Sequence, residues 1–303
     1  IRPVKRIVIT LIVVGIPAYN EEKNIAKTII QLQKVADKII VCDDGSVDLT
    51  GKISERVGAI VVTHPKNLGY GAGIRSILLK AIELQPDILV TFDADGQHRV
   101  EDIEVVTKPL LSDQADIVIG SRFINQNDDS QVPNYRKIGI KTITKIANTS
   151  ADLTLTDSQS GFRAYSKKVL NDIIPSEHGM GASTEILMKA SKKKYRISEV
   201  PITILYKGDT STHHPVSHGM SVVLSTMKFV SIEHPLKFYG IPGISFLGMG
   251  LFFIVWTIQL FTETRQIVTN VSLIGIGCTI LGTMLTMTSI ILYSLVNVVR
   301  EHR

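Results

Sequence analysis

Asp87-Ile88-Leu89-Val90-Thr91-Phe92-Asp93-Ala94-Asp95-Gly96-Gln97-His98 begins as an apolar run and ends in two carboxylates one residue apart. Asp87 to Phe92 has the length and side chains of a buried strand, so the acids stand at its carboxyl end. Successive strand side chains point to opposite faces, and Asp93 and Asp95 therefore project to one side if the extended geometry persists. Two carboxylates so placed can hold one hard divalent cation, Mg²⁺ or Mn²⁺. Mg²⁺ usually keeps waters and completes its shell with substrate phosphates. Gln97 continues the alternation and could orient a ligand or a water. A solvated turn also carries Asp-x-Asp, so the surrounding sequence has to decide.

Outward from this run, short β-branched stretches alternate with helical periods. Strands are expected at Ile7 to Ile16, Lys38 to Cys42, Ala59 to Thr63 and Asp116 to Gly120, besides Asp87 to Phe92. Helical spacing appears in Ile25, Ile29, Leu32 and Val35, and again in Ile74, Leu78, Leu79 and Ile82. The alternation predicts an α/β domain with a largely parallel sheet and helices on both faces, whose ligands gather beyond the carboxyl ends of the strands. Pro17-Ala18-Tyr19-Asn20-Glu21, Asp43-Asp44-Gly45-Ser46 and Asp93 to His98 all fall at such ends. Phe123 to Pro133 is polar and reads as an active-site loop or a surface loop. A helix at Tyr135 to Thr149, a helix around Thr184 to Lys192 and a strand at Ile197 to Tyr206 complete the domain, placed at 1–215.

The rest of the chain has another character. Residues 216–236 carry Val222, Val223, Met227 and Val230 at helical spacing, which suits an amphipathic helix on a membrane surface. Within 237–303, Phe238 to Thr262 is 25 residues and Gln266 to Val299 is 34 residues without Asp, Glu, Lys, Arg or His. Each exceeds the roughly 20 helical residues that cross a hydrocarbon core, so a two-helix transmembrane hairpin is expected. Lys228, Lys237, Arg300 and Arg303 flank it, whereas the connection Glu263-Thr264-Arg265 has a single cation, which places the first domain on the cytosolic face. Ile7 to Ile16 is too short to span and reads as a buried strand rather than a signal peptide. Two cysteines, Cys42 and Cys278, supply neither a disulfide framework nor a thiolate metal site. The formal charge of +5 is spread thinly along the chain; it argues against nucleic acid as a partner and suits weak attraction to anionic lipid.

Pro17 to Glu21, Asp43 to Ser46, Asp93 to Asp95 and Ser160-Gly161-Phe162-Arg163 occur in the order and spacing of family 2 glycosyltransferases, and residues 7 to 210 most resemble the branch that transfers sugars to dolichyl or polyprenyl phosphate. The resemblance implies a GT-A fold, a Rossmann-like sheet, with a nucleotide-sugar donor and a lipid-phosphate acceptor. Pro17, Tyr19, Glu21, Asp93 and Ala94 would then line the donor pocket, and Asp44 would accept a hydrogen bond from the base. A metal would lie on Asp93, Asp95 and Gln97, bridging the diphosphate. Arg122 and Arg136 match arginines placed at the acceptor phosphate, so the catalytic set becomes Asp95, Arg122 and Arg136. His218, with Lys207 and neighbouring histidines, stands where better-known mannosyl transferases carry an arginine and a lysine.

The chemistry is coherent on its own terms. A breaking sugar 1-phosphate bond gathers negative charge on the leaving diphosphate, where a fixed cation stabilises the transition state more than the ground state. A phosphate acceptor is already anionic and needs cations more than a base, and arginine offers paired donors to its oxygens. Hydroxyl-acceptor relatives, including processive synthases, need a carboxylate base and normally show Gln-x-x-Arg-Trp; the single tryptophan, Trp256, lies in the hairpin. A non-catalytic nucleotide-sugar scaffold would have no need of both Asp93 and Asp95. Asp157 could serve as such a carboxylate base, but beside Ser160 to Arg163 it is expected instead to cap a turn or pair with Arg163, and Glu185 to favour a helix start. His214 and His218 have a helical zinc spacing that Pro215 disfavours. Gly69, Gly71 and Gly73 lack the Gly-x-Gly-x-x-Gly spacing of dinucleotide sites and read as a tight turn beside the nucleotide.

Overall fold

The computed structural model describes residues 10–124, 134–203, 227, 231, 235–266 and 268–301, without the side chains of 134–136, 138, 146, 150, 297 and 299–301. The chain divides into two compact units, Ile1–Thr226 and Met227–Arg303.

The first unit is built on a seven-stranded sheet: β1 Ile12–Ala18, β2 Lys38–Asp43, β3 Ile60–Thr63, β4 Ile88–Thr91, β5 Ile117–Ser121, β6 Arg163–Ser166 and β7 Ile197–Pro201. The strand order is β3-β2-β1-β4-β6-β5-β7, and only β6 runs antiparallel to its neighbours. Among the described residues six α-helices accompany it: α1 Ile25–Leu32, α2 Thr50–Arg56, α3 Tyr70–Leu84, α4 Asp102–Leu111, α5 Asn134–Ala151 and α6 Ala182–Lys192. Alternate strand residues feed two cores. Val14, Ile16, Val41, Val90 and Val118 pack with Ile25, Ile29, Leu32, Ile103 and Val106 on one face. Val13, Ile40, Leu89 and Ile117 pack with Ile74, Ile77, Leu78 and Ile186 on the other. Burial on both faces is what a parallel sheet demands, and it explains the continuous apolar runs of the central strands.

The sequence expectations hold for most strands, with three differences. The simplest is that β7 ends at Pro201, short of the expected Tyr206; residues 204–206 lie outside the described residues. β1 begins at Ile12 and continues through Pro17, which is tolerated because pairing with β4 ends at Gly15 and only the β2 side continues. β6 was not anticipated. Arg163-Ala164-Tyr165-Ser166 has no apolar run, and it becomes a strand because β4 and β5 stand apart with unpaired edges that it bridges.

The second unit is a helical hairpin, α7 Ile241–Thr264 and α8 Thr269–Glu301, preceded by a turn of π-helix at Leu236–Gly240. Both helices are long and apolar enough to cross a membrane. Glycines let their backbones approach closely: a Cβ at Gly243 would lie 2.9 Å from Thr286 N, and one at Gly282 would lie 2.7 Å from Leu247 N. Ile244, Leu251, Phe252 and Ile258 on α7, with Ile280, Met284, Met287 and Ile291 on α8, are exposed, an exterior suited to hydrocarbon rather than water. Most of the surface helix expected at 216–236 falls outside the described residues.

Candidate active site

Strand order reverses beside β1, with β2 on one flank and β4 on the other, and the loops leaving these three strands diverge to form a crevice. A cavity of about 450 Å³ lies there, lined by Pro17, Ala18, Tyr19 and Glu21 after β1, Asp44 after β2, and Asp93, Ala94 and Asp95 after β4. Asn67, Gly69, Tyr70 and Gly73 from the start of α3 and Gly179 and Met180 before α6 complete it. The first two loops are stitched together by Asn20 N donating to Ser46 Oγ (2.9 Å), Val47 N to Asn20 Oδ1 (3.0 Å) and Glu21 N to Thr50 Oγ1 (2.7 Å).

Asp93 and Asp95 share this cavity, but by a different route from the one strand alternation suggests. β4 ends at Thr91, and the chain turns through Gly96 at φ +72° with Gln97 N donating to Asp95 Oδ1 (2.9 Å). That turn removes Gln97 from the alternation; its backbone supports Asp95, and it is not among the residues lining the cavity.

The two carboxyls are electrostatically unlike. Burial works against ionisation at Asp93, but the hydrogen bond with His98 Nε2 (3.0 Å), electrostatic attraction from that imidazole and the positive charges of Arg122 and Arg163 outweigh it and hold this carboxyl below the ordinary range. Asp95 is pushed up to about 6, by burial first and then by the negative charge of Asp93. Glu21 is raised as well, by burial and the charges of Asp48 and Asp93, against a lowering hydrogen bond from Asn24. The described lining thus holds four acids, Glu21, Asp44, Asp93 and Asp95, and no lysine, arginine or histidine. Mutual repulsion within such a set is relieved by a divalent cation, so the donor chemistry fits Mg²⁺ or Mn²⁺. Among the described residues no three His, Cys, Asp or Glu side chains cluster as a complete metal cage, so two carboxylates would leave most positions to a ligand and water.

Behind the acids, Arg163 is buried, and its guanidinium donates to the carbonyls of Ser160 (2.8 Å), Ser183 (2.9 Å) and Ser158 (2.7 Å). The expected Asp157–Arg163 pair is therefore not formed. Asp157 instead grips Arg122, with Arg122 Nε donating to Oδ2 (2.6 Å) and Nη2 to Oδ1 (2.8 Å), and it accepts Gln159 N in a turn. Arg163 lies next to backbone carbonyls that only tertiary folding assembles, whereas β5 delivers Arg122 beside the 157 turn. Arg136 sits in the first turn of α5 with its side chain outside the described residues, and His213, His214, His218 and Lys207 lie outside them too.

Sequence alone assigns no role to several site residues. Tyr70 and Met180 line the cavity, His98 holds Asp93, and a Cβ at Gly161 would lie 2.9 Å from Asp93 Oδ1. Gly69 and Gly71 are explained by a loop that no spacing revealed. Gly71 N donates to His178 O (2.7 Å), and a Cβ on Gly69 would come 2.6 Å from the same oxygen. Glu185 fixes that loop, accepting Ser176 N (3.0 Å) and Glu177 N (2.8 Å), so its role is structural.

The glycosyl transferase family 2 sequence model matches residues 13–174, the span that contains the sheet from β1 through β6 and every carboxylate of the cavity. The chain belongs to this family. A UDP-N-acetylglucosamine–dolichyl-phosphate N-acetylglucosaminyltransferase of Methanococcus voltae is 37% identical over 235 residues, covering 71% of this chain and 91% of the relative. A dolichyl-phosphate hexose transferase of Haloferax volcanii is 29% identical, covering 72% and 93%. Glucosyl-3-phosphoglycerate synthase of Mycobacterium tuberculosis, crystallised with Mn²⁺, UDP and phosphoglyceric acid, superimposes with a TM-score of 0.57 at 20% identity over 73% of this chain and 78% of that one. This last likeness establishes that the glycosyltransferase shares the GT-A arrangement of strands.

Proposed function

We propose that this transferase moves one sugar, with inversion, from a nucleotide-diphosphate sugar to dolichyl or polyprenyl phosphate. The observation that carries the donor half is the acidity of the cavity. A diphosphate is repelled by Glu21, Asp44, Asp93 and Asp95 unless a cation intervenes. Asp93 and Asp95 would hold Mg²⁺ or Mn²⁺, which when bound neutralises the charge gathering on the leaving diphosphate. Pro17, Tyr19, Ala94 and Asp44 would seat the nucleoside, with Tyr70 and the 177–180 loop closing the wall opposite β1.

The acceptor half rests on what Asp157 does. A hydroxyl acceptor needs a general base, yet Asp157 is 0% exposed and committed to Arg122 through two hydrogen bonds. A phosphate acceptor attacks without one, and Arg122, Arg136 and His218 would draw it towards the anionic donor. The names of the archaeal relatives support the same acceptor. UDP-N-acetylglucosamine is the first donor to test, because the relative named for it is 37% identical, followed by UDP-glucose and GDP-mannose. The apolar hairpin would anchor the enzyme in the bilayer that carries its acceptor, with the first unit on the cytosolic face.

The test is transfer of labelled sugar from each donor to dolichyl phosphate by the full chain in detergent, with Mn²⁺ or with EDTA. Metal-dependent, organic-extractable label of inverted anomeric configuration is expected. Nucleotide binding without transfer to any lipid phosphate would instead favour a scaffold.

A further inference from the structure

Asp44 is fastened from three directions. Its Oδ1 accepts Leu68 N (3.0 Å) and faces His64 Nδ1 (2.6 Å), and its Oδ2 accepts Gly69 N (2.8 Å). Because both oxygens already accept backbone N–H groups, the imidazole nitrogen facing Oδ1 is the donor, so Nδ1 carries a hydrogen. On the far side of the ring, His64 Nε2 lies 2.8 Å from Ser76 Oγ on α3. The same Nε2 also lies 3.6 Å from Sγ of Cys42, a buried residue on β2. With Nδ1 protonated, Nε2 is an acceptor, so Ser76 donates to His64 and His64 donates to Asp44, a chain that ties α3 and the segment after β3 to the end of β2. Phosphate chemistry at Asp93 and Asp95 makes no use of them.

We propose that His64 is a positioning residue for base recognition: held by Ser76, it orients Asp44 as a fixed acceptor for an imide-type N–H of the donor nucleotide. This rests on the nucleotide-sugar reading of the cavity. Oδ2 accepts one hydrogen bond from the described residues and retains a lone pair, and Asp44 lines the cavity. A carboxylate with no donor of its own selects ligands that present N–H there and rejects those that present a lone pair or a methyl group. His64 never touches the ligand in this scheme. It removes the rotational freedom of Asp44, so the N–H meets an acceptor already in place.

The experiment measures binding of UDP, GDP, N3-methyl-UDP and inorganic pyrophosphate, each with Mn²⁺, to the full chain by calorimetry, for wild type, His64→Leu and His64→Asn. Wild type is expected to favour UDP over N3-methyl-UDP at least tenfold. His64→Leu should lose most of that preference, bind pyrophosphate as wild type does, and raise KM for the nucleotide-sugar about tenfold with kcat unchanged. His64→Asn, whose amide can replace the Nδ1 donor, should recover the preference. Retention of the full UDP preference by a folded His64→Leu overturns the inference while leaving the donor reading intact. Loss of pyrophosphate binding in parallel with UDP also overturns it, since the defect would then be general. Failure of wild type to bind UDP overturns this inference, and failure to bind either UDP or GDP with Mn²⁺ overturns the donor reading itself.

Discussion

Gly161 offers a sharp test of the carboxylate centre, because replacing it by alanine adds one methyl group directly against Asp93. The new Cβ would lie 2.9 Å from Asp93 Oδ1, 3.0 Å from Oδ2 and 2.8 Å from the Tyr70 hydroxyl, where ordinary contact begins near 3.4 Å. The carboxylate or the methyl must therefore give way by about half an ångström. Gly161 is not at positive φ, so the cost is steric rather than conformational, on the order of 1–3 kcal/mol for overpacking a tight site. The functional loss should be larger than this suggests. A metal–oxygen bond is only about 2.0–2.1 Å long for Mg²⁺, and a misplacement of about 1 Å in a catalytic constellation costs on the order of 100-fold. Gly161→Ala should thus lower kcat/KM for sugar transfer about tenfold to a hundredfold and weaken Mn²⁺ binding, read by calorimetry, while the chain stays folded. Wild-type turnover together with wild-type Mn²⁺ affinity would refute the placement of Asp93 at the reacting centre.

Asp95→Asn should abolish transfer. It should also stabilise the metal-free protein at pH 8, because a carboxyl raised to about 6 in the fold from 3.8 opposes folding when ionised; the gain is fully present above pH 6 and vanishes below about pH 4, as thermal melts in EDTA will register. Arg122→Leu leaves the buried Asp157 charge without its bidentate partner and should cost about 3–5 kcal/mol; adding Asp157→Leu should restore much of the melting temperature without restoring transfer to lipid phosphate. Asp116, far from the cavity lining, is held down to about 2: burial opposes its charge, but Arg196 and Lys168 more than compensate. Asp116→Asn should therefore cost about 2 kcal/mol at pH 7 by denaturant titration, a difference that shrinks as pH falls from about 4 towards 2, with sugar transfer unaffected.

The central strands were legible in the sequence because burial on both faces forces continuous apolar runs, and the polar motifs were legible because they interrupt those runs at one end of the sheet. Asp93, Asp95, Glu21, Tyr19 and Asp44 could be gathered into one cavity on that ground alone, and the hairpin could be read from charge-free length. Residue composition is a local property, and local properties fix where a strand stops and which side chains crowd its end.

Pairing across long separations left no such trace. β6 is a strand only because β4 and β5 leave a gap, Arg122 finds Asp157 rather than solvent because β5 ends beside a turn 35 residues later, and the 177–180 loop becomes a pocket wall only when Glu185 anchors it against Gly69 and Gly71. The charge state of Asp95 belongs to the same class, since burial and the neighbouring Asp93 exist only in the folded chain. The sequence determined which chemical groups the protein can bring to a phosphate, and the tertiary structure decided which of them face it, because hydrogen bonds and charges act through space on whatever the fold sets within a few ångströms.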